Sequence, residues 1–134
     1  MPVVKAETLP ILVQNDMVIV RQSVRAWASQ VGMSIVDQTK IVTAASELAR
    51  NTLVYGGGGS VNMELIQDGS RQGLRLTFTD QGPGIPDISK ALSDGFTTGS
   101  GMGLGLGGSK RLVNEFEIDS AVGEGTRVTV TRWK

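Results

Sequence analysis

The sequence predicts an α+β protein, a two-layer sandwich whose mixed, mostly antiparallel sheet is covered on one face by three helices. Apolar residues at helical spacing come early and late in the chain, and alternating segments joined by short turns lie mostly between them. This order favours a sandwich over a doubly wound parallel sheet. The length of 134 residues is close to the commonest domain size, so we expect one domain over residues 1–134.

The first third of the chain predicts an edge strand and two helices. Pro10 would remove a hydrogen-bond donor from a central strand, so the strand that contains it is placed at an edge. Apolar residues recur at steps of three and four along the helices, which end at glycines. The elements are a strand at Val3–Val13, a helix capped by Asn15 or Asp16 that ends at Gly32, and a helix from Ser34 to the glycines at 56–59.

The rest of the chain predicts two hairpins separated by helical segments. Pro83 and Pro86 break the chain after the first hairpin. The elements are strands near Val61–Gln67 and Gly73–Thr79 with a turn at Asp68–Ser70, a short helical piece at Asp87–Ser93, a third long helix at Ser109–Phe116, and a terminal hairpin of Glu117–Ala121 and Thr126–Trp133.

The composition excludes several classes of function. Basic and acidic residues number 13 each, so no net charge draws the chain to nucleic acid or to an anionic membrane. The absence of cysteine and histidine excludes disulfides, thiolate or histidine metal sites, and phosphorylation of this chain on histidine. There is no signal-peptide pattern and no apolar run of about 18 residues. We therefore expect a cytoplasmic protein that binds neither nucleic acid nor membrane.

Six glycines occupy the ten residues 99–108, directly before the predicted third helix. Backbone N–H groups at the start of a helix can bind phosphate oxygens, so this run can serve as a mobile nucleotide lid, roughly Gly95–Gly107. A flexible linker is the alternative. Met102, Leu104 and Leu106 alternate with the glycines where a linker would have serine, which favours the lid. The spacing does not fit a Walker A loop and follows no strand as a Rossmann motif does.

Two polar motifs lie beside apolar elements. Glu47 and Asn51 are four residues apart and share one face of the second helix, although such a pair is usually solvated surface. Asp80 directly follows an apolar strand, and Gly82 and Gly84 allow another group to approach the backbone. An Asp-initiated turn is the alternative for this motif. With the glycine run, these motifs form three candidate pieces of one site.

In this order and spacing, the chain resembles the GHKL superfamily of ATPases and kinases over essentially its whole length. Within that superfamily it is similar to the bacterial serine/threonine kinases of sigma-factor regulation. Each motif alone is weakly specific, but three in order are hard to attribute to coincidence. The segments that carry the resemblance are Ser46–Asn51, Asp80–Ile85, Asp94–Phe96, Lys110–Leu112 and Gly125–Thr126.

The resemblance implies a Bergerat-type fold with ATP held between the helices and the lid. It implies that Asp80 accepts a hydrogen bond from the adenine amino group, with Thr126 and Gly84 in the same pocket and Gly82 in the same binding loop. We therefore expect the base to lie at the end of the strand that precedes Asp80.

The resemblance also assigns the phosphate end of the site. Asn51 would ligate Mg²⁺ through its amide oxygen, and Glu47 would be the general base or would orient the attacking hydroxyl. The glycines that wrap the phosphates would be Gly101, Gly103, Gly105 and Gly107, and Arg50 and Lys110 are candidate charge partners, with a solvated surface role as the alternative.

The acceptor of the phosphate is expected in a partner. Histidine-kinase catalytic domains share the motifs but need a dimerising helical segment with a phospho-accepting histidine. Gyrase-type ATPases need a transducer domain after the nucleotide domain. We expect neither the helical segment nor the transducer domain here. The family implies a serine or threonine on a STAS-domain protein of the stressosome type, and a downstream phosphatase that the released kinase engages. The alternative is an anti-sigma factor that sequesters a sigma subunit, with nucleotide setting the affinity.

Overall fold

Five strands and four helices, one of them continued by a π-helical turn, make up residues 2–92 and 105–134, the part that this computed structural model describes. The elements are β1 (Val3–Ile11), α1 (Gln14–Val31), α2 (Ile35–Arg50), the π-helical turn (Asn51–Tyr55), β2 (Gly59–Asp68), β3 (Arg71–Asp80), α3 (Ile88–Ala91), α4 (Leu106–Arg111), β4 (Glu115–Ala121) and β5 (Gly125–Trp133).

The strands form one sheet in the order β1-β2-β3-β5-β4. Helix α1 contacts β1, β2 and β3, α2 packs beside α1 and contacts β3, and α4 packs against α2. This arrangement confirms the predicted α+β fold. All neighbouring strand pairs in the described ranges are antiparallel, so the parallel pair of a mixed sheet is not found there. None of the helices in these ranges combines the length and the apolar character that a bilayer-crossing helix requires.

Alternation along the strands separates an apolar face from a polar one. Val61 lies opposite Phe78, and both are buried in the core that the helices cover. On the other face Arg75 Nε donates to Glu64 Oε1 at 2.8 Å. Strand β1 lies at an edge of the sheet as predicted, and Pro10 is accommodated there because an edge strand leaves half of its N–H groups unpaired.

Helix α1 begins earlier than the sequence predicts. Val13, in extended conformation, is the residue before the helix, and the Asp16 carboxylate accepts hydrogen bonds from the backbone N–H groups of Leu12 at 2.9 Å and Val13 at 3.1 Å. The prediction that Asn15 or Asp16 is the cap residue is therefore wrong, because Asp16 reaches back from within the first turn. The predicted stop at Gly32 is confirmed, with a left-handed φ of 92°.

Helix α2 changes its winding before it ends. Ser34 caps it as predicted, and its Oγ accepts from the Asp37 N–H at 3.1 Å. The α-helix ends at Arg50, and in the following turn the Gly56 N–H donates to the Asn51 carbonyl at 2.9 Å. Such π-helical turns are rare and frequently lie at functional sites. The sequence predicted one uninterrupted helix here, so the turn alters the direction in which the residues after Asn51 project.

The prediction of a third long helix at Ser109–Phe116 is wrong. Helix α4 occupies Leu106–Arg111, whereas Phe116 belongs to β4 and lies opposite Val130. A short apolar run does not distinguish a helix from a strand by its period alone. Two glycines inside α4 weaken its intrinsic stability, and burial of Leu106 and Ser109 where α4 packs on α2 compensates.

Arg132 joins β5 to two helices. Its Nη2 donates to Asp37 Oδ1 at 2.6 Å in the first turn of α2, and its Nη1 donates to the Leu112 carbonyl at 2.9 Å, directly after α4. The hydrogen bond from Arg132 lowers the pKa of Asp37 below its ordinary value of 3.8. The Arg132 side chain is 14% exposed, so little water competes for these bonds.

We expect Arg132→Met to lower the free energy of unfolding at neutral pH, because both hydrogen bonds are lost. Since the folded-state pKa of Asp37 lies below its unfolded value, the contribution of the ion pair is present above pH 3.8 and is lost as the pH falls through the folded-state pKa. The difference between wild type and variant should therefore shrink between about pH 7 and about pH 3 in urea unfolding.

Arg127→Met is the matched control. Its ion pair with Asp119 has a 3.4 Å separation and both side chains are more than half exposed, so its loss should change stability by less than about 1 kcal/mol at either pH. A stability difference for Arg132→Met that is the same at both pH values would contradict the role assigned to the Asp37 ion pair.

Candidate functional site

A small cavity lies where the end of α2 and the π-helical turn meet β3, β5 and α4. Its volume is about 20 Å³, which is room for about one water molecule. Both polar and apolar side chains form its wall. The polar ones are Asn51, Thr52, Tyr55, Asp80 and Thr126, and the apolar ones are Leu48, Phe78, Ile85, Leu106 and Val128.

Asp80 is the buried carboxylate of this cavity. It is the last residue of β3 and is only 8% exposed. Burial raises the pKa of Asp80 above its ordinary value, and hydrogen bonds from the backbone N–H groups of Gly82 and Thr126 partly oppose that rise. The Gly82 N–H lies 2.9 Å from Asp80 Oδ1. The carboxylate is thus held in place from the backbone side and presents hydrogen-bond acceptors to the cavity.

Glycines allow the backbone to close around Asp80. A Cβ on Gly56 would overlap the Asp80 carboxyl group, and one on Gly82 would lie 2.7 Å from the Gly56 carbonyl oxygen. A Cβ on Gly125, whose φ is 83°, would overlap the Asp80 carbonyl. Three chain segments therefore pack around Asp80 at distances that only glycine permits.

The loop that follows β3 is docked on the β4–β5 hairpin. Gly84 has a left-handed φ of 79°, and a Cβ there would overlap the Ala121 carbonyl. The Ile85 N–H donates to Ser120 Oγ at 2.8 Å, and the Tyr55 hydroxyl donates to the Gly84 carbonyl at 3.0 Å. These contacts fix the loop between the π-helical turn and the hairpin.

Helix α4 begins against the carboxylate of Glu47. Gly105 precedes α4 with a left-handed φ of 65°, and a Cβ on it would lie 2.5 Å from Glu47 Oε2. Glu47 is half-buried and lies one turn before Asn51, where the π-helical turn starts. A carboxylate that can accept a proton and an amide oxygen that can bind a hard cation are therefore adjacent.

The family model for the histidine kinase-, DNA gyrase B- and HSP90-like ATPases matches residues 36–134. The chain belongs to this ATPase family. The match covers every residue that lines the cavity, and it confirms the GHKL resemblance of the sequence. The buried acceptor and the glycine-lined backbone around it fit a family that binds ATP.

Two groups of curated relatives match most of the chain. The serine/threonine-protein kinase RsbT of Bacillus subtilis (strain 168) is 46% identical over 123 residues, which cover 92% of each chain. The anti-sigma F factor of Thermoanaerobacter sp. (strain X514) is 31% identical over 119 residues, which cover 84% of this chain and 82% of that protein. The relatives thus include both a named kinase and a named anti-sigma factor.

Solved structures share the fold of this ATPase family. The RsbU and RsbW domains of Rv1364c from Mycobacterium tuberculosis match with a TM-score of 0.66 and 24% identity, over 97% of this chain and 33% of that longer chain. The catalytic domain of the histidine kinase ThkA matches with a TM-score of 0.54 and 16% identity, over 94% and 95% of the two chains. At these identities the matches establish the fold alone.

The base end of the predicted site comes together in the structure. Asp80 and Thr126 line the cavity, Gly82 and Gly84 lie in the docked loop beside it, and Asn51, which the resemblance assigns to the phosphate end, lines the cavity too. Their roles toward a nucleotide stay predictions, but the geometry brings all five into one place.

The phosphate end is more dispersed. Gly105 lies against Glu47, and Gly107 is buried inside α4 rather than in a loop. Arg50 is half-buried at the end of α2, and Lys110 is exposed on α4. Gly101, Gly103 and most of the predicted lid lie outside the described residues.

Sequence reasoning missed Tyr55 and Ser120. Tyr55 lies four residues after Asn51, and this spacing on a predicted helix is a signal that could have found it. Ser120 reaches the site only because β4 pairs with β5 and places it opposite Thr126. No pattern near Ser120 in the sequence reports that pairing.

We expect Gly84→Ala to weaken ATP binding by about tenfold or more, since a loss of about 1.4 kcal/mol in binding free energy corresponds to a tenfold loss of affinity. The added methyl group would overlap the Ala121 carbonyl and push the loop off the hairpin. Titration of ATP into the folded variant measures the effect.

Gly69→Ala is the control for left-handed strain alone. Gly69 has a φ of 63° and nothing within 4 Å of its Cβ position, so this variant should lose about 1–2 kcal/mol of stability and keep wild-type ATP affinity. Equal ATP affinity in the two variants would show that the docked loop does not shape the nucleotide site.

Proposed function

We propose that this chain is a serine/threonine protein kinase that uses Mg²⁺ and ATP to phosphorylate a STAS-domain partner in a sigma-factor switch. One observation carries the proposal: the buried acceptor Asp80 and the amide of Asn51 line one cavity, with Glu47 one turn away. A base-binding acceptor, a metal-binding amide and a carboxylate base are then within reach of one nucleotide. The identity to RsbT supports transfer to a protein hydroxyl.

Asp80 would bind the 6-amino group of adenine, with Thr126 and Gly84 beside the base and Gly82 holding the carboxylate. The close approach of the backbone supports this role, because the Gly82 N–H holds the carboxylate at the cavity wall. The cavity is far smaller than the roughly 300 Å³ or more of ordinary ligand pockets. Leu106 on α4 forms part of its wall, so α4 would shift to admit the base.

Asn51 would hold Mg²⁺ through its side-chain oxygen. In residues 2–92 and 105–134 no three acidic, histidine or cysteine side chains come together to enclose a metal ion. A site that takes most of its ligands from phosphates and water fits this donor set, since Mg²⁺ keeps several waters and needs only one or two protein ligands. When bound, the ion neutralises charge on the phosphates.

Glu47 would orient the acceptor hydroxyl and take its proton while the hydroxyl oxygen forms a bond to the γ-phosphorus and ADP leaves. Phosphoryl transfer needs positioning and charge stabilisation more than covalent chemistry from the protein, and a half-buried carboxylate next to the metal-binding amide suits that task. The residues proposed to contact the phosphates are Gly101, Gly103, Gly105, Gly107, Arg50 and Lys110.

The proposed acceptor is a serine or threonine on a STAS-domain protein of the stressosome type, and the second proposed partner is a downstream phosphatase. Similarity to relatives named anti-sigma F factor supports a partner in a sigma-factor switch. The 134 residues contain no histidine, so phosphate is not carried on a histidine of this chain. Because the switch uses ATP and acts on transcription, we place the protein in the cytoplasm.

The second candidate function is that of an anti-sigma factor that binds a sigma subunit, with nucleotide setting the affinity. The relatives named anti-sigma F factor favour it, at 28–32% identity. The identity of 46% to RsbT favours the kinase. The two functions differ in whether a partner carries phosphate after incubation with ATP.

We expect Glu47→Gln and Asn51→Ala to separate chemistry from binding. Glu47→Gln keeps the shape of the side chain and should leave ATP affinity largely intact while slowing transfer by about 100-fold or more. Asn51→Ala should lose the Mg²⁺-dependent part of ATP binding. Glu124→Gln, an exposed change in the turn before β5, is the matched control and should alter neither. Wild-type transfer by Glu47→Gln would make Glu47 an ordinary helix residue.

We expect an acid-stable phosphate on a STAS-domain partner after incubation with γ-labelled ATP and Mg²⁺, and none with Asn51→Ala. Mapping of the labelled residue should find serine or threonine. An acid-labile product would indicate phosphohistidine in the partner instead. Stoichiometric binding to a sigma factor with no partner phosphorylation would establish the anti-sigma function.

A further inference from the structure

Ser120 lies at the centre of a hydrogen-bond network behind the base end of the cavity. Its Oγ lies 2.8 Å from the Ile85 N, 3.0 Å from the Gly125 carbonyl oxygen and 2.8 Å from Thr126 Oγ1. Thr126 lines the cavity and lies opposite Asp80 across β3 and β5. Ser120 therefore touches the loop, the hairpin and a wall residue at once.

The directions of these hydrogen bonds follow from what each partner can do. The Ile85 N–H can only donate and the Gly125 carbonyl can only accept, so the single proton of Ser120 goes to Gly125. The remaining lone pair of Ser120 can then take only a proton from Thr126. The proton of Thr126 thus points away from the cavity, and its hydroxyl oxygen offers the cavity an acceptor.

Two other hydroxyl groups of the cavity wall also donate their protons in hydrogen bonds within the protein. The Tyr55 hydroxyl donates to the Gly84 carbonyl at 3.0 Å, and the Thr52 hydroxyl donates to the Leu48 carbonyl at 2.9 Å. Together with the Asp80 carboxylate, the part of the cavity wall that the described residues form offers acceptors and no hydroxyl donor. At the 6-position of a purine, an amino group is a donor and matches these acceptors, whereas an oxygen is an acceptor and is repelled.

We propose that Ser120 is a positioning residue for base selection. Ser120 Oγ accepts a hydrogen bond from the Thr126 hydroxyl, which leaves the Thr126 oxygen as an acceptor toward the cavity. The site then favours a 6-aminopurine over a 6-oxopurine nucleotide. This inference rests on the proposed nucleotide site. Without Ser120, the Thr126 hydroxyl is free to rotate and to donate to the 6-oxygen of the wrong base. Ser120 acts through Thr126 and does not itself touch the base.

The test compares ATP with inosine triphosphate, which differs from ATP at the 6-position and the adjacent ring nitrogen of the base and has the same triphosphate. We expect wild type to bind ATP more tightly, and Ser120→Ala to lower the ratio of ATP to inosine triphosphate affinity by about 3- to 10-fold, the worth of one hydrogen bond gained by the wrong base. Ser120→Thr keeps the hydroxyl and should restore the ratio.

The Thr126→Val background separates proton direction from loop damage, because Ser120→Ala removes the contact with the Ile85 N–H in either background. In Thr126→Val there is no hydroxyl to reorient, so adding Ser120→Ala should not change the ratio further.

An unchanged ratio in Ser120→Ala, or a change that persists in the Thr126→Val background, would overturn the role of Ser120 while leaving ATP binding in place. Wild type that binds both nucleotides equally would overturn it too. Failure of wild type to bind either nucleotide would instead overturn the proposed nucleotide site, and with it this inference.

Discussion

The close packing of the main chain around Asp80 is the constraint on which the rest of the site depends. Gly56, Gly82 and Gly125 come from three separate segments, and a side chain on any of them would overlap Asp80 or a neighbouring glycine. A packed interior cannot absorb an added carbon atom without moving backbone. The positions of the π-helical turn, the docked loop and the start of β5 are therefore set together, and Asn51 and Thr126 reach the same cavity as a result.

The sequence predicted the elements whose signals are local and missed those that depend on packing. The long helices and the two hairpins followed from periodicity, glycine stops and turn residues, and the Asp80 and Asn51 motifs could be placed because each lies at the end of such an element. The π-helical turn and α4 could not be predicted in this way. Helix α4 contains two glycines, which disfavour a helix in isolation, and it is stabilised by burial on α2. Ser120 could not either, because strand pairing alone brings it to Thr126.

The burial of Asp80 also lowers the stability of the folded protein. Burial raises its pKa, which means that the ionised form is less stable in the folded protein than in water. The folded state then holds its proton more tightly than the unfolded chain does, so this carboxylate lowers stability at pH values above its unfolded pKa. Two backbone N–H groups, of Gly82 and Thr126, reduce that penalty without removing it. A desolvated acceptor of this kind is typical of a group retained for binding.

Helix α4 connects the two ends of the site through neighbouring residues. Gly105 lies against Glu47, and Leu106 forms part of the cavity wall, while Arg132 holds the carbonyl that follows the helix. A cavity of about 20 Å³ is too small for a purine, so in the proposed nucleotide site the wall would have to move to admit the base. If the part of the wall that Leu106 provides moves, the contact of Gly105 with Glu47 changes with it, because Gly105 and Leu106 are consecutive. The proposed base end and the surroundings of the Glu47 carboxylate would thus be coupled through α4, whose far end Arg132 holds.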